Sequence, residues 1–301
     1  MTSAIEVKRQ ALLTFVNDML AHHPAVQGVV GIGSLATGRM HPGSDIDAII
    51  FLEPFDWYIV PAEFLWAPGE ESFHSIYANQ EDLPDQSVQF DFLRLDLDKW
   101  NRPDFAWPEA RRYELAAGLL AHDRSGKIES MIDRKTAYPD DLRLERLDES
   151  LIWLDQHLTY EDPELRWERL GPAIALDRMA AAYDCLAQAL FAYNQCWMPW
   201  RNRQMDALLD LAWLPTRFSD KVLAAAHAPS LDFEGYSTQA KTLSDMFEEL
   251  KIQLVEDGLY DAMPVDQAFI RQHDEPGYAW NMDEWNQVAL SRAIAISKRR
   301  R

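Results

Sequence analysis

The sequence predicts an α+β fold, with strands and helices mixed in the first part of the chain and helices alone in the rest. Three observations predict it. Two short apolar runs, 27–32 and 46–52, bracket a loop holding Gly33, Gly38, Pro42 and Gly43. A third segment, Ser87 to Leu97, alternates: Val88, Phe90 and Phe92 face one way, Gln89 and Asp91 the other. From about residue 108 onward, apolar residues recur at helical spacing. The texture changes between 125 and 140, which divides the chain into expected domains 1–135 and 136–301.

The elements follow in order. Ile5, Leu12, Phe15, Val16, Met19 and Leu20 lie on one helical stripe, stopped by Pro24. Gln27 to Ile32 reads as a buried strand. Gly33 to Ser44 reads as a loop, and Ile46 to Leu52 as a second strand ended before Pro54. Between Glu53 and Glu109 only Ser87 to Leu97 has a regular pattern; the remainder reads as irregular. Later, Leu144, Leu147, Leu151, Leu154 and Leu158 form one apolar stripe, and Pro172 opens a long helix. Shorter helices are expected at Met205 to Trp213 and at Asp220 to His227, the latter capped by Ser219. Thr242 to Glu256 and Trp285 to Ser297 are the last two.

Of 301 residues, 48% are hydrophobic, enough for a packed core, and the net charge is −20. Nucleic-acid binding depends on neutralising phosphates with Lys and Arg, so this charge argues against a nucleic-acid partner. It favours a cationic ligand. Half of the excess lies in 53–109, where 13 acidic residues face 3 basic ones. Trp57, Trp66, Trp100 and Trp107 fall in the same stretch, and aromatic faces beside carboxylates would suit an organic cation. Two cysteines make no disulfide framework. Cys185 and Cys196 are expected on one helix, about 16 Å apart along its axis, too far to pair. With no apolar leader in Met1 to Gln10 and no long apolar run, the expectation is a reduced, cytoplasmic protein away from membranes.

The segment that carries chemistry is Val30-Gly31-Ile32-Gly33-Ser34, ten residues, then Asp45-Ile46-Asp47-Ala48-Ile49-Ile50. A strand runs into Gly-Ser, where glycine lets backbone approach a ligand, and N–H groups with the Ser34 hydroxyl can hold phosphate oxygens. The chain returns as a strand with Asp45 and Asp47 two residues apart, so both carboxylates point to one face. Their repulsion calls for a cation, and Mg²⁺ suits carboxylate and phosphate oxygens. Asp91, between two phenylalanines on the third strand, is the candidate third carboxylate, as metal ligand or as general base. Asp96 is the weaker alternative, at the strand end.

This order of Gly-Ser, spacer and Asp-x-Asp resembles the signature of the polymerase-β-type nucleotidyltransferase superfamily. Gly38 in the loop and Ser44 before the first Asp are also similar to bacterial enzymes of the aminoglycoside-adenylyltransferase-like kind. The resemblance covers residues 25–100; Tyr113 to Ile132 and Leu186 to Pro215 are weakly similar to the helical domain of that family. It implies a small mixed sheet with flanking helices followed by a helical bundle. It also implies Gly33 and Ser34, with Ser44 and Arg39 nearby, against the nucleotide, Asp45, Asp47 and Asp91 at Mg²⁺, and ATP as co-substrate. The implied reaction moves AMP to a hydroxyl of a small acceptor such as an aminoglycoside. A non-catalytic nucleotide-binding or antitoxin-like protein on the same fold, and AMP transfer to a protein, are the alternatives.

Arg39 and His41 in the loop, and Arg201, Arg203 and Lys221 in the helical part, are further candidates for phosphate or substrate contact, each also expected on a solvated surface. His22 and His23 suit a helix end, and the eight histidines show no zinc-like spacing with cysteine.

Overall fold

The computed structural model describes residues 4–41, 43–77, 83, 86–273 and 287. Their fold is α+β, and they form two compact units, Met1–Ala137 and Tyr138–Arg301.

The first unit is built on one six-stranded sheet. It comprises β1 (Val26–Gly31), β2 (Ile46–Leu52), β3 (Glu63–Ala67), β4 (Ser72–Ser75), β5 (Val88–Asp96) and β6 (Leu119–Asp123), in the order β4-β3-β5-β2-β1-β6. The β2–β5 pair is parallel and the other ladders are antiparallel, so the sheet is mixed.

Each face of the sheet has its own core. Leu12 and Phe15 of α1 (Ala4–Phe15) pack with Val29, Ile46, Ala48, Ile50, Phe64, Trp66, Phe90 and Phe92 on one face. Phe15 sits 4.9 Å from the Phe90 ring and 5.1 Å from the Phe64 ring. The opposite face buries Val30, Ile49, Phe51, Leu95, Trp107, Ile128 and Met131. That second core takes in α4 (Glu109–Ala116) and α5 (Lys127–Thr136), after the short helices α2 (Gly33–Thr37) and α3 (Leu97–Asn101).

Three expectations change in this unit. The 53–109 stretch is not irregular outside β5, because it contains the hairpin β3–β4, which adds strands to the β5 edge. The pattern after residue 108 is not helical throughout, because β6 pairs with β1. The four tryptophans do not converge on one pocket. Trp66 lies in the first core, Trp107 in the second with Trp100 packed against it, and Trp57 is exposed with the Arg94 guanidinium 5.2 Å from its ring centre.

The second unit is helical: α6 (Asp140–Leu158), α7 (Pro163–Leu170), α8 (Pro172–Tyr193), α9 (Arg201–Leu209), α10 (Phe218–Ala226), α11 (Phe233–Glu256) and α12 (Pro264–His273). Leu147, Leu151, Leu154 and Leu158 are buried on α6, and Pro172 opens α8. The sequence reading missed α7 and α12. Residue Ser219 lies inside α10, which begins at Phe218 after Arg217 in the left-handed region. Helix α11 starts nine residues earlier than Thr242, capped by Asp232, whose carboxylate accepts the Gly235 N–H. The two cysteines do not share a helix: Cys196 follows the end of α8. Neither cysteine is in a disulfide, and burial pushes the Cys185 thiol up to about 11, with Glu149 and Asp184 adding to it. The expected helix at Trp285 to Ser297 lies outside the described residues except for 287. Among the described residues no helix is long and apolar enough to cross a membrane.

Candidate active site

The site begins with strand pairing. In the parallel β2–β5 ladder, Asp47 stands opposite Asp91, and in the antiparallel β3–β5 ladder, Asp91 stands opposite Glu63. Three carboxylates therefore form a row across three neighbouring strands. Alternation puts that row on the face opposite Phe64, Phe90 and Phe92. The buried phenylalanines thus fix which way Asp91 points. A one-residue slip of β5 would bury the carboxylate and expose the rings.

Asp45, immediately before β2, brings its carboxylate to the same place. One oxygen from each of Asp45, Asp47 and Asp91 lies within 4.8 Å of the others, and all three side chains are half-buried. Burial raises the Asp91 carboxyl above the usual carboxylate range. The negative charges of Asp45 and Glu63 add to this, and the Gln89 Nε2–H bond to Asp91 Oδ1 (3.4 Å) opposes it. Asp91 and Asp45 bring two carboxylates together, a pairing that needs either a shared proton or a cation. The donor set is all oxygen, which suits a hard divalent ion. These residues fit the Mg²⁺ expected from the sequence.

Gly33 closes the site from below. It has φ +62°, and a Cβ built on it would lie 2.6 Å from Asp47 Oδ2. Only glycine combines that backbone with that proximity. The Ile32 N–H donates to the Asp47 carbonyl at 2.9 Å, which ties the end of β1 to β2. Ser34 follows on the first turn of α2 and is buried. Gly38, at φ +80°, ends α2 by donating its N–H to the Ser34 carbonyl.

The loop residues have local tasks. Ser44 Oγ accepts the His41 N–H at 3.1 Å, and the Ser44 N–H donates to the His41 carbonyl at 3.0 Å, making a tight turn into Asp45. Arg39 lies past the Gly38 cap and is exposed, as is His41. Asp96 caps α3 by accepting the Asp98 N–H, which accounts for a carboxylate at the strand end. In the helical unit, Arg201 pairs with Asp184 at 2.6 Å and Lys221 with Glu249 at 3.3 Å, while Arg203 is exposed.

Three neighbours escaped the sequence reading. Lys8 Nζ donates to the Ser44 carbonyl at 2.7 Å; burial lowers its pKa, and the nearby Asp45 opposes that. Its signal was position, one turn before buried Leu12 on the α1 stripe. Glu63 was hidden with β3, although Phe64 and Trp66 already alternate there. The exposed Tyr77 donates its hydroxyl to Glu63 at 2.9 Å, and that bond holds its pKa up.

Comparison with known proteins accords with this geometry. Residues 12–101 match the family model described as Nucleotidyltransferase domain. That stretch of the first unit is therefore similar to nucleotidyltransferase domains. The match spans β1 to β5 and so includes the glycine turn and all three aspartates. Residues 106–202 match a second model, described as Domain of unknown function (DUF4037). Among solved structures, a nucleotidyltransferase-like protein from Exiguobacterium sibiricum 255-15 is similar at 11% identity, over 92% of this chain and 83% of that one, with a TM-score of 0.40. No curated protein matches the chain.

Proposed function

We propose that the protein is a Mg²⁺-dependent nucleotidyltransferase that moves AMP from ATP onto a hydroxyl of a small cationic acceptor such as an aminoglycoside. The observation that carries this reading is the convergence of Asp45, Asp47 and Asp91 within 4.8 Å, beside a glycine whose missing side chain leaves room for Asp47.

In the proposed reaction the acceptor oxygen attacks the α-phosphorus and pyrophosphate leaves. Mg²⁺, when bound, neutralises charge that develops on the phosphate oxygens. Asp45 and Asp47 are its ligands, with Asp91 completing the set or taking the acceptor proton. In this reading Gly33 and Ser34 hold the triphosphate, with Ser44 and Arg39 as further candidates for nucleotide contact.

The cationic character of the acceptor is supported by Glu63, which extends the carboxylate row beyond the three aspartates. A field of one sign draws in ligands of the other.

The test is incubation with ATP or GTP labelled at the α-phosphate, Mg²⁺, and a panel of aminoglycosides and other hydroxylated acceptors. The expected result is a labelled small product with at least one acceptor and none from Asp47→Asn. Transfer that survives Asp47→Asn overturns the metal assignment. A labelled protein band in place of a small product moves the acceptor to the protein class.

A further inference from the structure

A second site lies wholly within the helical unit. Asp155 on α6, Tyr160 just after it, Lys251 on α11, and Met263 and Asp266 at the start of α12 line a cavity of about 340 Å³. That volume is at the small end of ligand pockets. Asp266 is more than nine-tenths buried, at 8% exposed, and its Oδ2 is enclosed with no hydrogen-bond partner among the described residues. An enclosed carboxylate without a donor is costly unless it is neutralised or paired. Burial first, and then the negative charge of Asp155, hold the Asp266 carboxyl above the usual range.

Lys251, the one base lining the cavity among the described residues, is engaged elsewhere. Its Nζ is 2.7 Å from Glu248 and lies 4.8 Å from the Phe247 ring centre. The rim is held by its own bonds. Gln267 accepts the Asp261 N–H at 2.9 Å and donates to the Asp261 carboxylate at 2.5 Å. Arg271 clamps α12 to Asp148 of α6 at 2.6 Å.

We propose that this cavity binds a small aliphatic ammonium, held between the carboxylates of Asp266 and Asp155 with its carbon chain on Met263, Pro264 and Val265. The charge of the lining excludes an anion. The ligand count disfavours a metal ion: among the described residues, the group of three or more ligating side chains is Asp45, Asp47 and Asp91, not this pair. The apolar wall beside two acids matches an aliphatic amine, with a charged nitrogen for the acids and a carbon chain for the wall. The site is independent of the nucleotidyl-transfer reading, because it shares no residue with it.

The experiment is isothermal titration of the full chain with 1,4-diaminobutane at about 0.15 M salt, where diffuse attraction to the −20 charge is screened. Saturable binding to a single high-affinity site is expected, with none for 1,4-butanediol. Asp266→Asn and Asp155→Asn should each weaken it roughly tenfold or more, the loss of one charged hydrogen bond. Asp47→Asn should leave it unchanged, which separates this site from the acidic cluster of the first unit. Circular dichroism confirms that each variant is folded. Absence of saturable binding, equal binding of the diol, or folded Asp266→Asn and Asp155→Asn proteins that bind as wild type would each overturn the proposal.

Discussion

Gly33 and Asp47 compete for the same space: a Cβ on residue 33 would lie 2.6 Å from the Asp47 carboxylate oxygen Oδ2. The relationship joins the glycine turn to the carboxylate cluster in one steric fact. Gly33→Ala must move either the turn or the carboxylate. It also places an L side chain at φ +62°, at a cost of about 1–2 kcal/mol. The expected outcome is a folded protein, modestly destabilised in urea titration, with Mg²⁺-dependent nucleotide binding lost. Gly33→Ala with unaltered binding would show that the turn does not gate the site.

The carboxylate row sets function against stability. Asp47, Asp91 and Glu63 stand side by side across β2, β5 and β3, and like charges facing each other on one sheet face are destabilising by a fraction of a kcal/mol to about 1 kcal/mol. Asp91→Asn should therefore raise the melting temperature of the metal-free protein and abolish the further rise that Mg²⁺ with ATP produces. A lower melting temperature for metal-free Asp91→Asn would mean that Asp91 is a structural residue.

The path from sequence to site was short where the pattern was local. Ile46 to Leu52 coincides with β2, and Phe90 and Phe92 flanking Asp91 already assigned the face of that carboxylate. What was not legible depended on distant partners. Strand β3 is five residues long and β6 opens with Leu119-Leu120-Ala121; neither pattern is strong until an edge is present to pair with it. Glu63 and Tyr77 went unseen with that hairpin. Lys8 went unseen for another reason: a lysine on an amphipathic helix looks solvated until its ammonium is found on the Ser44 carbonyl. The tryptophans misled because composition groups residues that the sheet then sends to opposite faces, as it does Trp66 and Trp107.

In the helical unit, the Asp148 carboxylate receives two bonds from Arg271, at 2.6 and 2.8 Å, and one from the Tyr260 hydroxyl at 2.6 Å, while only 4% exposed. Removing one partner of such a pair strands the other. Asp148→Ala should cost about 3–5 kcal/mol and free α12, measured by urea unfolding and by faster amide exchange in Pro264–His273. A loss below about 1 kcal/mol would place the attachment of α12 in its apolar contacts instead.

Two histidines give the protein an acid limit. Burial lowers the pKa of His157, helped by Arg178 and Arg166 and opposed by Asp177; its Nδ1 is enclosed without a partner. Burial lowers that of His122 on β6 likewise. Below the unfolded value of about 6.5 the unfolded chain binds protons that the folded chain refuses, so stability falls as pH drops from about 7 toward 5. Denaturant midpoints across that range should decline, and His157→Gln should flatten part of the slope. An unchanged slope would assign the acid limit to other groups.

The proposed function requires that Asp45, Asp47 and Asp91 hold a catalytic divalent ion together with a nucleoside triphosphate. Its most direct test is electron paramagnetic resonance of Mn²⁺ titrated into the protein with ATP present. Wild-type protein is expected to sequester Mn²⁺ in the ternary mixture, and Asp45→Asn and Asp47→Asn, folded by circular dichroism, to leave it as the Mn²⁺–ATP signal seen without protein. Equal sequestration by the wild type and both variants would contradict it.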